Sequence, residues 1–235
     1  MNTISRRQRE FEQRELLFLE TASEIIRSEG VSALTMDKIA ELTEYAKGTV
    51  YKHFCSKEDI LCGLCVERLS KGIEMFGHAI QIEGHSRRKI VAVGVAYQLF
   101  TNQYPEEFDL LIAARTNNIQ EKASPERIEQ LENIDCACQQ VIDALIEQAV
   151  NDGDLTLPHN MQTNELGFGL WASCFGLLAL SQAQGLVSSF RPNNVNHFLV
   201  SHMNCLLDGY GWHPLSHNNK NDDYSAALQH FDALM

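Results

Sequence analysis

A short stretch of the chain, residues 47–57, concentrates side chains that can bind a polyanion. Lysine ammonium groups, hydroxyls and phenols donate hydrogen bonds to phosphate oxygens, and lysine also reaches guanine acceptors in the major groove. Gly48 lacks a side chain, which lets the backbone approach a ligand closely. The other six members of the set are Lys47, Thr49, Tyr51, Lys52, His53 and Lys57.

The pattern around this stretch predicts two short helices joined by a tight turn. Thr35 can cap a helix over residues 36–43, and a second helix is expected over 47–53. Val50 and Phe54 are spaced i and i+4, so they can anchor the second helix to a core. A helix-turn-helix places such a second helix in the major groove of DNA.

The sequence over residues 30–61, GVSALTMDKIAELTEYAKGTVYKHFCSKEDIL, resembles the DNA-binding signature of the tetracycline-repressor (TetR) family, and the resemblance extends over about residues 11–65. It implies an all-helical homodimer with a small N-terminal DNA-binding domain and a larger ligand-binding domain. By position, seven residues match the family's DNA contacts: Lys47, Gly48, Thr49, Tyr51, Lys52, His53 and Lys57.

Two residues depart from the family pattern at the turn. Glu44 stands where the family usually has glycine, and Ala46 replaces the usual hydroxyl-bearing cap of the second helix. A non-glycine residue in the left-handed region costs roughly 1–2 kcal/mol, and a lost cap costs about 1 kcal/mol. Neither change removes a DNA-contacting group, so DNA binding is still expected.

The charge distribution restricts where DNA can bind. The formal net charge is −12, of which residues 1–60 carry −2 and the remaining residues −10. An acidic chain repels nucleic acid and anionic membranes at long range, so any DNA contact belongs to the first quarter. The most apolar window, residues 166–180, is shorter than the roughly 20 residues that span a bilayer. Seven cysteines without a disulfide pattern favour a cytoplasmic location.

Apolar spacing of three and four residues recurs along the chain, and the period-2 alternation of strands is absent. We therefore predict an all-α protein of about nine or ten helices, with a three-helix DNA-binding domain at 1–60 and a ligand-binding and dimerisation domain at 61–235. Helices are expected at about 5–29, 36–43, 47–53, 56–83, 87–104, 105–118, 125–150 and 163–184, and a ninth begins after Pro192. Residues 224–235 form either a short last helix or a disordered segment.

The larger domain is expected to supply a dimer interface and a pocket. The helix over 163–184 and the helix after Pro192 are the candidates for the interface. Small residues in the first, with Trp171 and Phe175 as bulk, would permit close packing against a second copy, and the alternative is a core helix of a monomer. Five aromatic residues can line an apolar pocket for a small-molecule effector, although aromatic residues of this kind are more often plain core: Tyr97, Phe100, Tyr104, Phe108 and Trp171. The helix after Ser56 would transmit effector binding to the DNA-binding domain.

These observations predict a repressor that a small-molecule effector releases from a palindromic operator. One alternative is a thiol- or metal-responsive regulator that uses the C-x-x-C pair Cys62 and Cys65. Another is a helical enzyme or scaffold that does not bind DNA, but the sequence has no phosphate-binding glycine loop, G-x-S-x-G or H-E-x-x-H motif. No catalytic residue, metal site or cofactor is predicted. Three arginines near the start form either a DNA-binding arm or a charged helix start: Arg6, Arg7 and Arg9.

Overall fold

The computed structural model describes residues 6–105, 108, 110–111, 119, 121–158, 160–182, 191–218 and 223–232. Within these residues the protein is all-helical, as predicted, with nine α-helices and no strand. The helices are α1 (Arg6–Glu29), α2 (Met36–Leu42), α3 (Lys47–Val50), α4 (Lys57–Ala79), α5 (Ser86–Gln103), α6 (Pro125–Asn151), α7 (Thr163–Gln182), α8 (Val195–Gly209) and α9 (Asp223–Asp232).

Most predicted helices agree with the structure to within a few residues, but α3 and α4 end earlier than expected. The regular part of α3 stops at Val50, and the next two turns are closed by Lys52 N–H to Thr49 and His53 N–H to Val50, at 3.1 and 3.0 Å. Such i to i+3 bonds tighten the end of a helix. Helix α4 ends at Ala79 instead of residue 83. The helix predicted over 105–118 lies largely outside the described residues.

Backbone contacts divide the chain into two compact units. The N-terminal unit contains Met1–Arg68 and Glu106–Asn133, and the C-terminal unit contains Leu69–Pro105 and Ile134–Met235. Helices α4 and α6 contribute residues to both units. The domain boundary predicted between residues 60 and 61 stays a prediction.

The N-terminal unit is built around a small apolar core. Phe18 and Ile25 of α1, Ile39 of α2, Val50 of α3 and Phe54 after α3 are all less than 3% exposed. The spacing of Phe18 and Ile25 puts both on the inner face of α1. This core fixes α3 by its buried side, so that its remaining side chains face outwards.

In the C-terminal unit, a buried arginine joins the start of α5 to the end of α8. Arg87 is fully buried, and it donates to the carbonyl of Trp212 at 2.6 Å and to the Asn204 side chain at 2.9 Å. Its charge is balanced by Asp208, 2.7 Å away. Because a buried charge is tolerated only when it is paired and hydrogen-bonded, this network holds α5 and α8 together.

Within the residues that the structure describes, no helix is both long enough and apolar enough to cross a membrane. The apolar window over residues 166–180 lies in α7.

Candidate nucleic-acid interface and effector pocket

Thr35 before α2 and Glu44 in the turn between α2 and α3 both have the roles that the sequence predicts. Thr35 caps α2, its hydroxyl accepting from Lys38 N–H at 3.2 Å. Glu44 has φ 57°, and Tyr45 N–H and Glu44 N–H bond to Ala40 and Glu41 at the end of α2. This is the Schellman arrangement, in which a left-handed residue satisfies the last helical carbonyls. Glu44 therefore takes the strained conformation that favours glycine, at a cost of roughly 1–2 kcal/mol.

The outer surface of α3 presents most of the predicted DNA-contacting residues. Lys47, Gly48, Tyr51 and Lys52 are exposed, and Thr49 is half-buried. A methyl group added at Gly48 would meet no protein atom within 4 Å, so packing inside the protein does not require glycine there. An open backbone on this surface is instead suited to close approach by DNA.

Lys47, at the start of α3, is held by an acid from α2. Its ammonium nitrogen lies 2.5 Å from Asp37 Oδ1 and 5.9 Å from the centre of the Tyr51 ring. The hydrogen bond to Asp37 raises the pKa of Lys47 above its ordinary value, so the side chain is cationic at neutral pH. To contact DNA, Lys47 must exchange Asp37 for a phosphate or a base.

His53 has a different environment from its neighbours on the same segment. Its side chain is 1% exposed, and its ring stacks on Phe11 at 3.8 Å and meets the edge of Phe18 at 5.2 Å. Burial lowers the pKa of His53, although Glu15, 3.6 Å from Nδ1, opposes the shift. The ring thus fastens the end of α3 to α1, so its predicted DNA contact is the one least supported by exposure.

The start of α4 is organised by a buried carboxylate. Ser56 Oγ accepts from Asp59 N–H at 3.0 Å, which confirms the capping pattern of these two residues. Asp59, 2% exposed, accepts from Cys55 N–H at 3.0 Å and from Ser124 N–H and Oγ at 2.9 and 2.7 Å. Beside it, Lys57 donates to the Val31 carbonyl at 2.9 Å. These bonds fix the segment that directly follows α3.

An apolar pocket of about 30 Å³ lies within the C-terminal unit. It is lined by Phe76, Ile90, Val93, Gly94, Tyr97, Ile142, Leu170, Trp171, Cys174 and Met203. Of the five aromatic residues predicted to line a pocket, Tyr97 and Trp171 do so. The other three lie outside this lining, and Phe100 and Phe108 are instead buried as core, with Phe108 in the N-terminal unit.

One side chain fills the space beside Gly94. A methyl group added at Gly94 would lie 2.3 Å from the sulfur of Met203 and 2.8 Å from its terminal carbon. Met203 therefore packs directly on the α5 backbone and forms part of the pocket wall. An unbranched thioether changes conformation at little cost, so it can move aside when a ligand enters.

The cysteine pair on α4 is poorly placed for redox or metal chemistry. Neither Cys62 nor Cys65 forms a disulfide, and their exposure is 0% and 1%. Burial raises the pKa of Cys62 to about 11, so almost none of it is the reactive thiolate at neutral pH. In the described part of the chain, no group of three or more metal-binding side chains comes together.

Comparison with known proteins supports DNA binding by this surface. Residues 18–62 match the model of the bacterial regulatory proteins of the tetR family. The chain is also 25% identical, over 191 residues, to the fatty acid metabolism regulator protein of Bacillus subtilis (strain 168), a match that covers 81% of this chain and 90% of that one. Residues 18–62 therefore carry a DNA-binding region of the TetR type.

Solved structures show the same fold. A tetR-family regulatory protein from Rhodococcus RHA1 has a TM-score of 0.63 and 15% identity, covering 84% of this chain and 97% of the other. The regulator FadR from Bacillus subtilis, solved with stearoyl-CoA, has a TM-score of 0.58 and 18% identity, covering 84% and 99%. These structures show the fold, and the match over residues 18–62 identifies a DNA-binding transcriptional regulator of the TetR type.

Sequence patterns alone missed several residues of these sites. Met203 and Gly94 lie on apolar helix faces, and periodicity does not distinguish a residue beside a cavity from one in solid core. Arg7, which the sequence offered for a DNA-binding arm or a charged helix start, lies in regular α1, and so does Arg14, which the sequence did not single out. Arg14 lies beside α3 only because the three helices fold together.

Proposed function

We propose that this regulator binds a palindromic DNA operator as a homodimer and represses transcription until a small-molecule effector releases it. The observation that carries the proposal is the surface of α3, where Lys47, Thr49, Tyr51 and Lys52 are accessible around an open Gly48. A single recognition helix reads too few bases to define a site. Two copies related by two-fold symmetry read half-sites about 34–36 Å apart, or a multiple of that.

An apolar surface on α7 and α8 supports the homodimer. Phe168 and Leu180 of α7 and Phe198 of α8 are 60%, 56% and 42% exposed. Gly169 and Gly176 on α7 have open space where a side chain would be, whereas Gly167 packs against α6. Large side chains beside open glycines allow two helices to approach closely, and a second copy would bury the exposed rings.

The effector that we propose is a long acyl chain, presented on coenzyme A. The pocket in the C-terminal unit is lined mainly by apolar side chains, which suits a hydrocarbon. Its volume of about 30 Å³ admits only one or a few water molecules, so lining side chains, Met203 among them, must move for a chain to enter. Two relatives support this class: the fatty acid metabolism regulator of Bacillus subtilis and FadR in complex with stearoyl-CoA.

Helix α4 can carry the signal. In its first turn, Asp59 accepts a hydrogen bond from Cys55 in the segment that follows the recognition helix α3. Near its end, Phe76 lines the pocket. A ligand changes DNA affinity only through its different affinities for two conformations. The acyl chain would displace the end of α4 and thereby change the spacing of the paired recognition helices. The regulator would act through binding alone, in the cytoplasm and without a catalytic step.

The test is fluorescence anisotropy with labelled duplexes from the DNA upstream of the protein's own gene. We expect nanomolar binding to one palindromic duplex, reversal by stearoyl-CoA, and no reversal by coenzyme A without the acyl chain. The matched variant Gly94→Ala forces Met203 into the pocket, so it should bind the operator normally but respond weakly to stearoyl-CoA. Equal release by coenzyme A and stearoyl-CoA would refute the acyl-chain effector.

A further inference from the structure

An open groove of about 510 Å³ lies in the N-terminal unit, between the first turns of α1 and the end of α3. Its lining includes three cationic side chains and no carboxylate. The residues that matter are Arg7, Phe11, Arg14, Thr49, Lys52 and His53. We infer that this groove is a second anion site of the DNA-binding surface, in which α1 grips a phosphodiester of the duplex beside the recognition helix.

The floor of the groove is rigid and apolar. The ring of His53 stacks on Phe11 with centres 3.8 Å apart and an angle of 22° between their planes. With 1% exposure, the His53 side chain closes the bottom of the groove instead of projecting from it. A ligand therefore rests between the α1 arginines on one wall and the Thr49 and Lys52 side chains on the other.

The cations of the groove keep most of their charge available. Within the described residues, no ion pair involves Arg7 or Lys52, and Arg14 Nε is buried without a hydrogen-bond partner. The nearby acids are already engaged: Glu10 pairs with Arg6 at 2.8 Å, and Glu15 pairs with Arg127. Like charges gathered around one groove repel one another, and a bound anion relieves that repulsion.

Lys47 provides the contrast on the same recognition helix. It is paired with Asp37 at 2.5 Å, so its phosphate contact requires an exchange of partners. The groove cations need no such exchange. Thr49 and Lys52 also belong to the proposed DNA surface, so a backbone strand that passes α3 reaches Arg7 and Arg14 next. Contacts of this kind add affinity without reading sequence.

The inference rests on the proposed function, and the salt dependence of binding separates the two. Full-length protein is titrated against the operator and a scrambled duplex between 50 and 200 mM salt. Arg7→Gln and Arg14→Gln are compared with Arg27→Gln, which removes an exposed cation from the far end of the same helix. All variants are first matched for helical content and unfolding midpoint, so that only folded protein is compared.

Each neutralised phosphate contributes about 0.9 to the slope of log affinity against log salt. A dimer loses one contact in each half-site, so Arg7→Gln should reduce the slope by about 1.8, with the operator-to-scrambled ratio unchanged. Across a fourfold salt range this is about a twelvefold smaller loss of affinity. Arg27→Gln should keep the wild-type slope. The groove is refuted if Arg7→Gln and Arg27→Gln have equal slopes, whereas wild-type protein with no operator preference refutes the proposed function.

Discussion

Replacing Asp59 by alanine should loosen the connection between α3 and α4 and destabilise the N-terminal unit. The carboxylate is 2% exposed and accepts three hydrogen bonds, from Cys55 N–H and from Ser124 N–H and Oγ. A hydrogen bond to a charged group contributes about 1.5–3 kcal/mol, and a buried donor left alone costs about 1–3 kcal/mol. Water can reach Cys55 and part of Ser124, so each of the three donors left without the carboxylate should cost only about 1 kcal/mol, a total loss of about 3 kcal/mol.

The neighbouring acid Glu58 provides a matched control. It occupies the same first turn of α4, but its only described ion pair is with Lys122 at 3.6 Å, and that lysine is 54% exposed. Glu58→Ala removes the same charge from the same helix N-terminus, and an exposed pair contributes less than about 1 kcal/mol. The comparison therefore isolates the hydrogen bonds of Asp59 from its interaction with the helix dipole.

The assay is urea unfolding followed by far-ultraviolet circular dichroism, with all variants at one protomer concentration because the proposed dimerisation would stabilise the folded state. The free energy of unfolding should fall by about 3 kcal/mol in Asp59→Ala and by less than about 1 kcal/mol in Glu58→Ala. Operator affinity should fall only in Asp59→Ala, because α3 is then less well positioned. Equal destabilisation by the two substitutions would refute the reasoning.

Further predictions concern the histidine, the thiols, the pocket and the dimer surface. Burial lowers the folded-state pKa of His53 below its ordinary value of 6.5, so the unfolded chain binds the proton more readily. The contribution of His53 to stability should therefore be full above about pH 6.5 and be lost as the pH falls through the folded pKa. In a plot of urea midpoint against pH, His53→Gln should flatten this part of the curve. The double variant Cys62→Ser/Cys65→Ser should bind the operator like wild type before and after peroxide treatment, measured by anisotropy, because these thiols are buried. If peroxide changes the operator affinity of the wild type but not of the double variant, the redox alternative is restored. Met203→Ala should enlarge the pocket and tighten stearoyl-CoA binding several-fold in calorimetry. Unchanged or weaker binding would show that Met203 does not limit the space for the ligand. Phe168→Glu should place charge on the exposed face of α7 and shift light-scattering mass towards the monomer, whereas an unchanged dimer would exclude this face as the interface.

The parts of the fold that the sequence predicted are those that local chemistry determines. Thr35 and Ser56 cap their helices because a hydroxyl three residues before an amide can reach it within one turn. Glu44 was expected to be strained because the turn of a helix-turn-helix needs a left-handed residue, and its φ of 57° agrees. Ala46 provides no side-chain cap to α3, also as expected.

The features that the sequence did not predict depend on packing between distant segments. His53 matches a DNA-contacting position, yet the aromatic ring of Phe11, 42 residues away in sequence, draws its side chain into the interior. The same holds for the pocket, where Met203 of α8 meets the Gly94 backbone of α5. Helical periodicity identifies an apolar face but not the residues that pack against it, so the pocket and the position of Met203 beside it could be found only from the structure.

The account depends most on paired recognition helices that read a two-fold symmetric site. The most direct measurement is native mass spectrometry of the protein with three duplexes of equal length: the intact palindrome, one with a single half-site scrambled, and one with both scrambled. We predict two protomers on the intact palindrome, and at least tenfold weaker binding when either half-site is scrambled. Equal occupancy of all three duplexes, or one protomer bound to the palindrome as tightly as to a single half-site, would contradict it.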